Sequence, residues 1–205
     1  MIYIFDMGGV VTSTAQVEEH LEKILGITHS QFLEYSGAEK SYGENLMLQC
    51  SDGKISCKEF WEKFSENSGL TIQTDWWHYL FHPVRNNETY ALIEKLKEKG
   101  NRVICGTNTI DAHWKNHMER GDYNVFDQTY ASCFMGVSKP DAAFWQIIME
   151  AEKAEPSQCI FIDDKLENCQ AAQRLGIKSI QFTDALTLAK QLNVSLAQED
   201  ESYWL

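Results

Sequence analysis

The chain has 205 residues, of which 43% are hydrophobic, so it can bury a full core and is not a disordered segment. Its net charge of −12, without a cluster of Lys and Arg, opposes contact with phosphate backbones and excludes a nucleic-acid-binding protein. The first residues hold no basic region and only a short apolar run, so we expect no signal peptide, no membrane partner and a cytoplasmic location.

The first predicted strand covers residues 2–5 and ends at Asp6. It is a short apolar run with branched and aromatic members, and Gly8 and Gly9 follow the acid. Such a run is typical of a buried parallel strand. Open α/β sheets place their active sites at the carboxyl ends of the strands, so Asp6 is a candidate site residue.

A long helical segment follows, from residue 13 to residue 84. It holds about seventy residues where a strand–helix–strand unit needs far fewer. Apolar residues recur at helical spacing around Leu21 and around Phe60. Aromatic side chains at 76–82 favour packing between helices, and stacking on a sugar ring is the alternative. The segment predicts a small all-helical unit inserted after the first strand.

Strand and helix patterns alternate in the rest of the chain. Predicted strands at 102–106, 158–162 and 178–182 are interspersed with predicted helices at 87–99, 140–153, 166–175 and 184–192. This alternation predicts the fold class α/β, with a Rossmann-like parallel sheet and helices on both of its faces.

Polar residues also follow the later strands, with Thr107 and Asn108 after one and Asp163 and Asp164 after another. Neighbouring carboxylates raise one another's pKa unless a cation neutralises them, and Mg²⁺ prefers carboxylate and carbonyl ligands. A hydroxyl, backbone N–H groups, a metal ion and a lysine such as Lys139 would together bind a phosphoryl group. These residues therefore indicate phosphate chemistry at one edge of the sheet.

The order Asp, Thr, Lys and Asp-Asp resembles the four motifs of the haloacid dehalogenase superfamily. The motifs stand in this chain as FDMGGV, TNT, SKPD and FIDD. They look like those of the sugar-1-phosphate phosphatase-like branch. The resemblance implies a catalytic core formed by residues 1–12 and 85–205. It also implies a helical cap, residues 13–84, that covers the active site and recognises the leaving group.

The resemblance implies a role for each motif residue. Asp6 would be the nucleophile that forms an aspartyl-phosphate, with Lys139 as a second catalytic residue. Phosphate would be bound by Gly8, Gly9, Thr107, Asn108 and Lys139. Mg²⁺ would be held by Asp6, the Gly8 carbonyl, Asp163 and Asp164. The implied activity is Mg²⁺-dependent hydrolysis of a small phosphorylated metabolite by a monomer or a homodimer.

One position departs from the pattern of most phosphatases in the superfamily. They carry a general acid two residues after the nucleophile, and this chain has Gly8 there. Gly8 leaves open a binding protein that kept the fold and lost turnover. A metal-free 2-haloacid dehalogenase is the other rival. The pair Asp163 and Asp164 disfavours it, because those enzymes carry Ser-Ser-Asn where this chain has residues 162–164.

Three further interpretations concern single side chains. Asn168 either hydrogen-bonds the metal-binding acids or lies on a solvated helix face. Thr107 either binds phosphate or caps the helix that begins near residue 110. His113 and His117 have the spacing of zinc ligands, but Trp114 stands where a metalloprotease has Glu, so we predict two surface histidines.

Two features concern the chain as a whole. The six cysteines are scattered and form no C-x-x-C pair, so we predict free thiols. The acidic stretch at 198–202 predicts a mobile tail.

Overall fold

The computed structural model describes residues 1–13 and 17–196. Its centre is a five-stranded sheet in which all neighbouring strands are parallel. The strands are β1 (Ile2–Phe5), β2 (Arg102–Thr107), β3 (Gln128–Ala131), β4 (Cys159–Asp163) and β5 (Lys178–Gln181). Their order in the sheet is β3-β2-β1-β4-β5. The strand order reverses beside β1 and β4, where open α/β sheets bind their ligands.

Helices connect the strands and fill the long segment between β1 and β2. That segment and its return to the sheet contain α1 (Val17–Leu25), α2 (His29–Ser36), α3 (Leu46–Ser51), α4 (Cys57–Ser68), α5 (Trp76–Leu80) and α6 (Asn87–Glu98). The later helices are α7 (Asp111–Arg120), α8 (Ser132–Met135), α9 (Ala142–Glu152), α10 (Leu166–Arg174) and α11 (Ala185–Gln191). In the part of the chain that the structure describes, no helix has the length and apolarity needed to cross a bilayer.

Two apolar cores lie on opposite faces of the sheet. Successive side chains of a strand point to opposite faces, so Tyr3 and Phe5 enter one core and Ile4 enters the other. Leu92 of α6 packs in the first core and Trp145 of α9 in the second. Because both faces are covered, the strands can be apolar throughout. The predicted α/β fold with helices on both faces of a parallel sheet is confirmed.

A third apolar core joins the helices α1 to α5. The rings of Phe60 and Trp77 meet edge to face, with centroids 5.5 Å apart, and Phe32 packs on Trp77 with centroids 6.1 Å apart. Ile110, before α7, belongs to the same core and attaches these helices to the rest of the fold. Trp77 packs between helices as predicted, whereas Tyr79 is 64% exposed.

The chain leaves and re-enters the sheet region through two adjoining segments. Thr12 pairs antiparallel with Arg85, and the Asn86 N–H donates to the Val11 carbonyl at 2.9 Å. The Asn86 side chain then caps α6 by accepting from the Thr89 N–H at 3.1 Å. The division into a core of 1–12 and 85–205 and a cap of 13–84 stays a prediction.

One strand escaped the sequence analysis. β3 has the sequence QTYA, is largely exposed or half-buried, and pairs only with β2 at the edge of the sheet. An edge strand of this kind has no continuous apolar run to reveal it. The six cysteines are unpaired thiols. The tail at 198–202 lies outside the described residues.

Candidate active site

The carboxyl ends of β1, β2 and β4 bring the motif residues together. In the parallel register Phe5 lies beside Cys105 of β2 and beside Ile162 of β4. The next residue, Asp6, therefore reaches the same edge as Asp163, and its N–H donates to the Ile162 carbonyl at 2.8 Å. Neighbouring strands lie about 4.8 Å apart, so two acids at equivalent positions are forced close together.

Lys139 lies between these two acids and is fully buried. Its ammonium group is 2.8 Å from Asp6 Oδ1 and 2.7 Å from Asp163 Oδ2, and it donates to the Gly106 carbonyl at 2.9 Å. These contacts occupy all three N–H donors of the ammonium group. Burial lowers the pKa of Lys139, but the charges of Asp6 and Asp163 outweigh it and leave the pKa raised. The residue is therefore a fixed positive charge between two carboxylates.

Asp163 is saturated with hydrogen bonds. Its Oδ1 accepts from the Lys165 N–H at 2.8 Å, and the Asn168 amide donates to both oxygens at 3.1 Å. With Lys139 on Oδ2, these bonds use about all the lone-pair positions of a carboxylate. Asn168 is 3% exposed, so it faces the acid and not solvent.

Asp164 differs from its neighbour, because its Oδ1 is buried without a hydrogen-bond partner. Burial raises the pKa of Asp164, and the charge of Asp163 raises it further. Burial likewise raises the pKa of Asp6, where Lys139 opposes the rise and Asp163 adds to it. One carboxylate oxygen from each of the three acids lies within 4.8 Å of the others. An unpartnered buried oxygen in such a cluster fits a hard divalent cation.

Gly8 and Gly9 shape the turn after β1. Gly9 has φ +80°, and a Cβ atom on it would lie 2.5 Å from Asp164 Oδ2. The Asp164 carboxylate therefore occupies space that only a glycine leaves open. The hydrogen bonds around Gly8 use the Met7 carbonyl and the Gly9 N–H, and they leave the Gly8 carbonyl out of the pairing. A Cβ on Gly8 would meet nothing within 4 Å.

Thr107 and Asn108 follow β2 and have different surroundings. Thr107 is buried, and its hydroxyl makes only a long contact of 3.4 Å to the Asn108 carbonyl. The Asn108 side chain holds the backbone of Lys139, donating to its carbonyl and accepting from its N–H at 2.8 Å each. The residue before α7 is Ile110, which makes no side-chain cap, so Thr107 is not the helix cap. The bonds to Lys139 occupy the side-chain oxygen of Asn108 and one of its two amide N–H groups.

The structure corrects the prediction for the two histidines of α7. His117 is 3% exposed, and its Nδ1 lies 2.9 Å from Asp122 Oδ2. His113 is half-buried and stacks on Phe81, with ring centroids 3.8 Å apart. The surface prediction was wrong, because residues four apart on a helix share one face and this face packs against the segment after α5.

Sequence reasoning missed two contacts of the site. The clamp of Asn108 on Lys139 joins residues 31 positions apart, and no local pattern reports such a pairing. The saturation of Lys139 was also missed, since a lysine before a proline gives no sign of three buried acceptors. The predicted binding of phosphate by Lys139 stays a prediction, and it requires one of these bonds to be exchanged.

Comparisons with known proteins agree with this arrangement. The family model for haloacid dehalogenase-like hydrolases matches residues 1–176. A crystal structure of a haloacid dehalogenase family enzyme from Bacteroides thetaiotaomicron, in complex with magnesium and inorganic phosphate, is similar with a TM-score of 0.73. It is 26% identical, and the match covers 89% of this chain and 94% of that one.

Two curated phosphatases are similar in sequence. The D-ribitol-5-phosphate phosphatase of Bacteroides thetaiotaomicron is 22% identical over 207 residues, covering 94% of this chain and 97% of that one. Sesquiterpene phosphatase astK of Aspergillus oryzae is 34% identical over 104 residues. That match covers 50% of this chain, which spans 53% of the length of that protein.

The length of the family match decides the assignment. Residues 1–176 include the four motifs from Asp6 to Asp164 and the whole sheet except β5. The motif residues meet at the carboxyl edge of β1, β2 and β4. The chain belongs to the haloacid dehalogenase-like hydrolase family.

Proposed function

We propose that the chain is a Mg²⁺-dependent phosphatase that hydrolyses a small phosphomonoester through an aspartyl-phosphate at Asp6. The observation that carries the proposal is the cluster of Asp6, Asp163 and Asp164, with oxygens within 4.8 Å and an unpartnered buried oxygen on Asp164. Two similar proteins are named as phosphatases, and a similar structure contains magnesium and phosphate.

The residues that would hold the cation are Asp6, Asp164 and the Gly8 carbonyl. Asp163 belongs to the same cluster, but Lys139, the Lys165 N–H and Asn168 occupy its lone pairs, so its contact with the cation would require one of these hydrogen bonds to be exchanged. When bound, the cation would supply positive charge beside the Asp6 carboxylate and the phosphate oxygens.

In the first step a carboxylate oxygen of Asp6 attacks phosphorus, and the bond from phosphorus to the leaving oxygen breaks. Lys139 would keep Asp6 ionised and oriented through the contact of 2.8 Å. The Thr107 hydroxyl and the backbone N–H of Asn108 would donate to the phosphoryl oxygens as charge spreads over them. The Gly9 N–H donates to the Thr12 carbonyl at 2.7 Å, so it could bind phosphate only by giving up that bond. Water then attacks phosphorus, releases phosphate and restores the Asp6 carboxylate.

Gly8 carries no group that can protonate the leaving oxygen. The proton must come from water or from another part of the site. Substrates whose leaving hydroxyl is acidic need this proton least, so we propose a preference for esters such as anomeric sugar phosphates over simple alkyl phosphates.

Two rivals predict different products. A metal-free dehalogenase would release chloride from 2-chloropropionate, and a binding protein would release nothing from any ester. The adjacent acids Asp163 and Asp164 argue against the first. The charge of Asp163 raises the pKa of Asp164, and a metal-free site gains nothing from this repulsion.

The test is phosphate release from p-nitrophenyl phosphate and a panel of phosphorylated metabolites, with and without Mg²⁺. We expect Mg²⁺-dependent release that Asp6→Asn reduces by far more than tenfold, because an amide oxygen is a poor nucleophile. A loss of less than tenfold, about 1.4 kcal/mol of transition-state stabilisation, would contradict the role of Asp6. Calorimetric titration of Asp164→Asn with Mg²⁺ tests the cation site separately, and unchanged affinity would reopen the dehalogenase.

A further inference from the structure

The loop that follows α3, residues 52–55 and called the α3 loop below, lies directly on the backbone of α8. Gly53 has φ +60°, and a Cβ atom on it would come within 1.8 Å of the Cys133 carbonyl oxygen. No larger residue fits there, so the two backbones touch. The loop itself is held by bonds back to α3, in which the Lys54 N–H donates to the Gln49 carbonyl at 2.8 Å.

Polar side chains extend this contact to the segment before Lys139. The Ser138 hydroxyl donates to Asp52 Oδ1 in a short hydrogen bond. The Ser51 and Ser138 hydroxyl oxygens are 2.9 Å apart. Because Ser138 gives its only proton to Asp52, Ser51 must be the donor in this pair. The end of α3 thus both donates to Ser138 and accepts from it.

A second branch reaches the segment after β2. The Ser51 hydroxyl oxygen is 3.4 Å from that of Ser132, which is fully buried. Because Ser51 donates to Ser138 and Ser132 donates to the Thr109 carbonyl, these two side chains meet in a packing contact and not in a hydrogen bond. The Ser132 oxygen accepts from the Thr109 N–H at 3.0 Å and donates to the Thr109 carbonyl at 3.2 Å. Ser132 therefore fixes both polar groups of the Thr109 backbone.

The two segments that this loop touches are the ones that carry the proposed phosphate-binding groups. Ser138 directly precedes Lys139, and Thr109 comes two residues after Thr107. Asn108 joins the segments to each other through its bonds to the Lys139 backbone. Movement of the α3 loop would be transmitted to Lys139 and Thr107 through these contacts.

We propose that Ser51 and Asp52 are positioning residues that align the Thr107–Thr109 and Ser138–Lys139 segments when the α3 loop is seated on α8. Phosphate binding then depends on a contact made by the helical segment, although neither side chain touches the reacting atoms. The effect on phosphate binding rests on the proposed function. The alignment of the two segments can be measured without any enzymatic turnover.

The first test uses two glycines with equal backbone strain and different surroundings. Gly53→Ala must displace the loop, whereas Gly69→Ala has φ +71° and nothing within 4 Å of its Cβ. We expect hydrogen exchange of the Thr109 and Lys139 amides to rise at least tenfold in Gly53→Ala and to stay unchanged in Gly69→Ala. Unchanged exchange at both amides in Gly53→Ala would overturn the inference.

The second test removes the polar contact and does not depend on Gly53→Ala folding. We expect Asp52→Ala to accelerate exchange at the Thr109 and Lys139 amides and to weaken binding of inorganic phosphate in the presence of Mg²⁺ at least tenfold. Asp52→Asn should keep the wild-type exchange rates and the wild-type phosphate affinity, because its amide oxygen still accepts from Ser138. Tyr42→Phe is the matched control, since the Tyr42 hydroxyl donates to the other oxygen, Asp52 Oδ2, at 2.7 Å.

The outcomes separate the two proposals. If the wild type hydrolyses no phosphate ester but Asp52→Ala loosens both amides, the proposed function fails and the positioning role stands. If Asp52→Ala leaves exchange and phosphate affinity as in Tyr42→Phe, the positioning role is wrong, whatever the wild type hydrolyses.

Discussion

Restoring a carboxylic acid at Gly8 tests how the leaving group departs. Gly8→Asp places a carboxylic acid two residues after Asp6, where most phosphatases in the superfamily carry their general acid. Gly8 is not among the glycines with positive φ, and a Cβ on it meets nothing within 4 Å. The backbone therefore accepts a side chain without left-handed strain or displacement of a neighbour. Gly8→Ala is the matched control, because it adds the Cβ without the acid.

The expected gain depends on the leaving group. A positioned general acid typically supplies about 10²–10⁴ in rate, which corresponds to about 2.7–5.4 kcal/mol of barrier. Alkyl phosphates, whose leaving hydroxyl is weakly acidic, should approach this range in Gly8→Asp. Aryl phosphates should gain little, because their leaving oxygen departs without a proton.

The assay is single-turnover hydrolysis of a series of phosphate esters, with log kcat plotted against the pKa of the leaving hydroxyl. We expect a steep negative slope for the wild type and for Gly8→Ala, and a shallower slope for Gly8→Asp. Mg²⁺ affinity is measured alongside, so that loss of the cation is not mistaken for loss of acid catalysis. A flat wild-type line would refute the reasoning, because it would mean that another group already protonates the leaving oxygen.

Two further substitutions probe the cation site and the packing of α7. Gly9→Ala should weaken Mg²⁺ binding in calorimetry, because residue 9 has φ +80° and its Cβ would lie 2.5 Å from Asp164 Oδ2. Gly100→Ala is the control, since residue 100 has φ +78° but open space around its Cβ, and it should leave Mg²⁺ affinity unchanged. Equal affinities of the two variants would contradict the packing role of Gly9. Burial and the charges of nearby histidines lower the pKa of His113 from 6.5 to about 3, so the unfolded chain binds the extra proton and the free energy of unfolding falls as pH drops below 6.5. Between pH 7.5 and 5.5 the wild type should lose about 1.4 kcal/mol more than His113→Phe in urea unfolding, and parallel losses would refute this.

The central strands were predictable, and of the two edge strands the sequence predicted β5 but not β3. β1 and β4 are covered on both faces, so every residue of Ile2–Phe5 and of the first part of β4 is apolar and the run is visible in the sequence. β3 and β5 each have a neighbour on one side only. Apolar residues at 177, 180 and 182 mark β5, whereas β3 has the sequence QTYA and only one fully buried side chain. The sequence of β3 therefore does not differ from that of a loop.

The positions of the site acids were predictable for the same reason, whereas their contacts were not. A parallel strand that ends in an acid places the acid at the ligand-binding edge, and this argument locates Asp6 and Asp163 without coordinates. The contacts of Lys139 join it to Asp163, Gly106 and Asp6, which are 24, 33 and 133 positions away. The pattern of neighbouring residues carries no record of such pairings.

The two adjacent acids separate what the sequence predicts from what only the fold reveals. In the sequence Asp163 and Asp164 are equivalent members of one pair, and the resemblance implies that both hold the metal. In the fold, Asp163 is the last residue of β4 and points to Lys139 and Asn168, which satisfy it. Asp164 follows the strand, lies against Gly9 and keeps a buried oxygen without a partner. A buried carboxylate oxygen that has lost its hydration and receives no hydrogen bond is unfavourable unless a nearby positive charge compensates it. Asp164 is therefore the acid of the pair through which the cation would be bound directly.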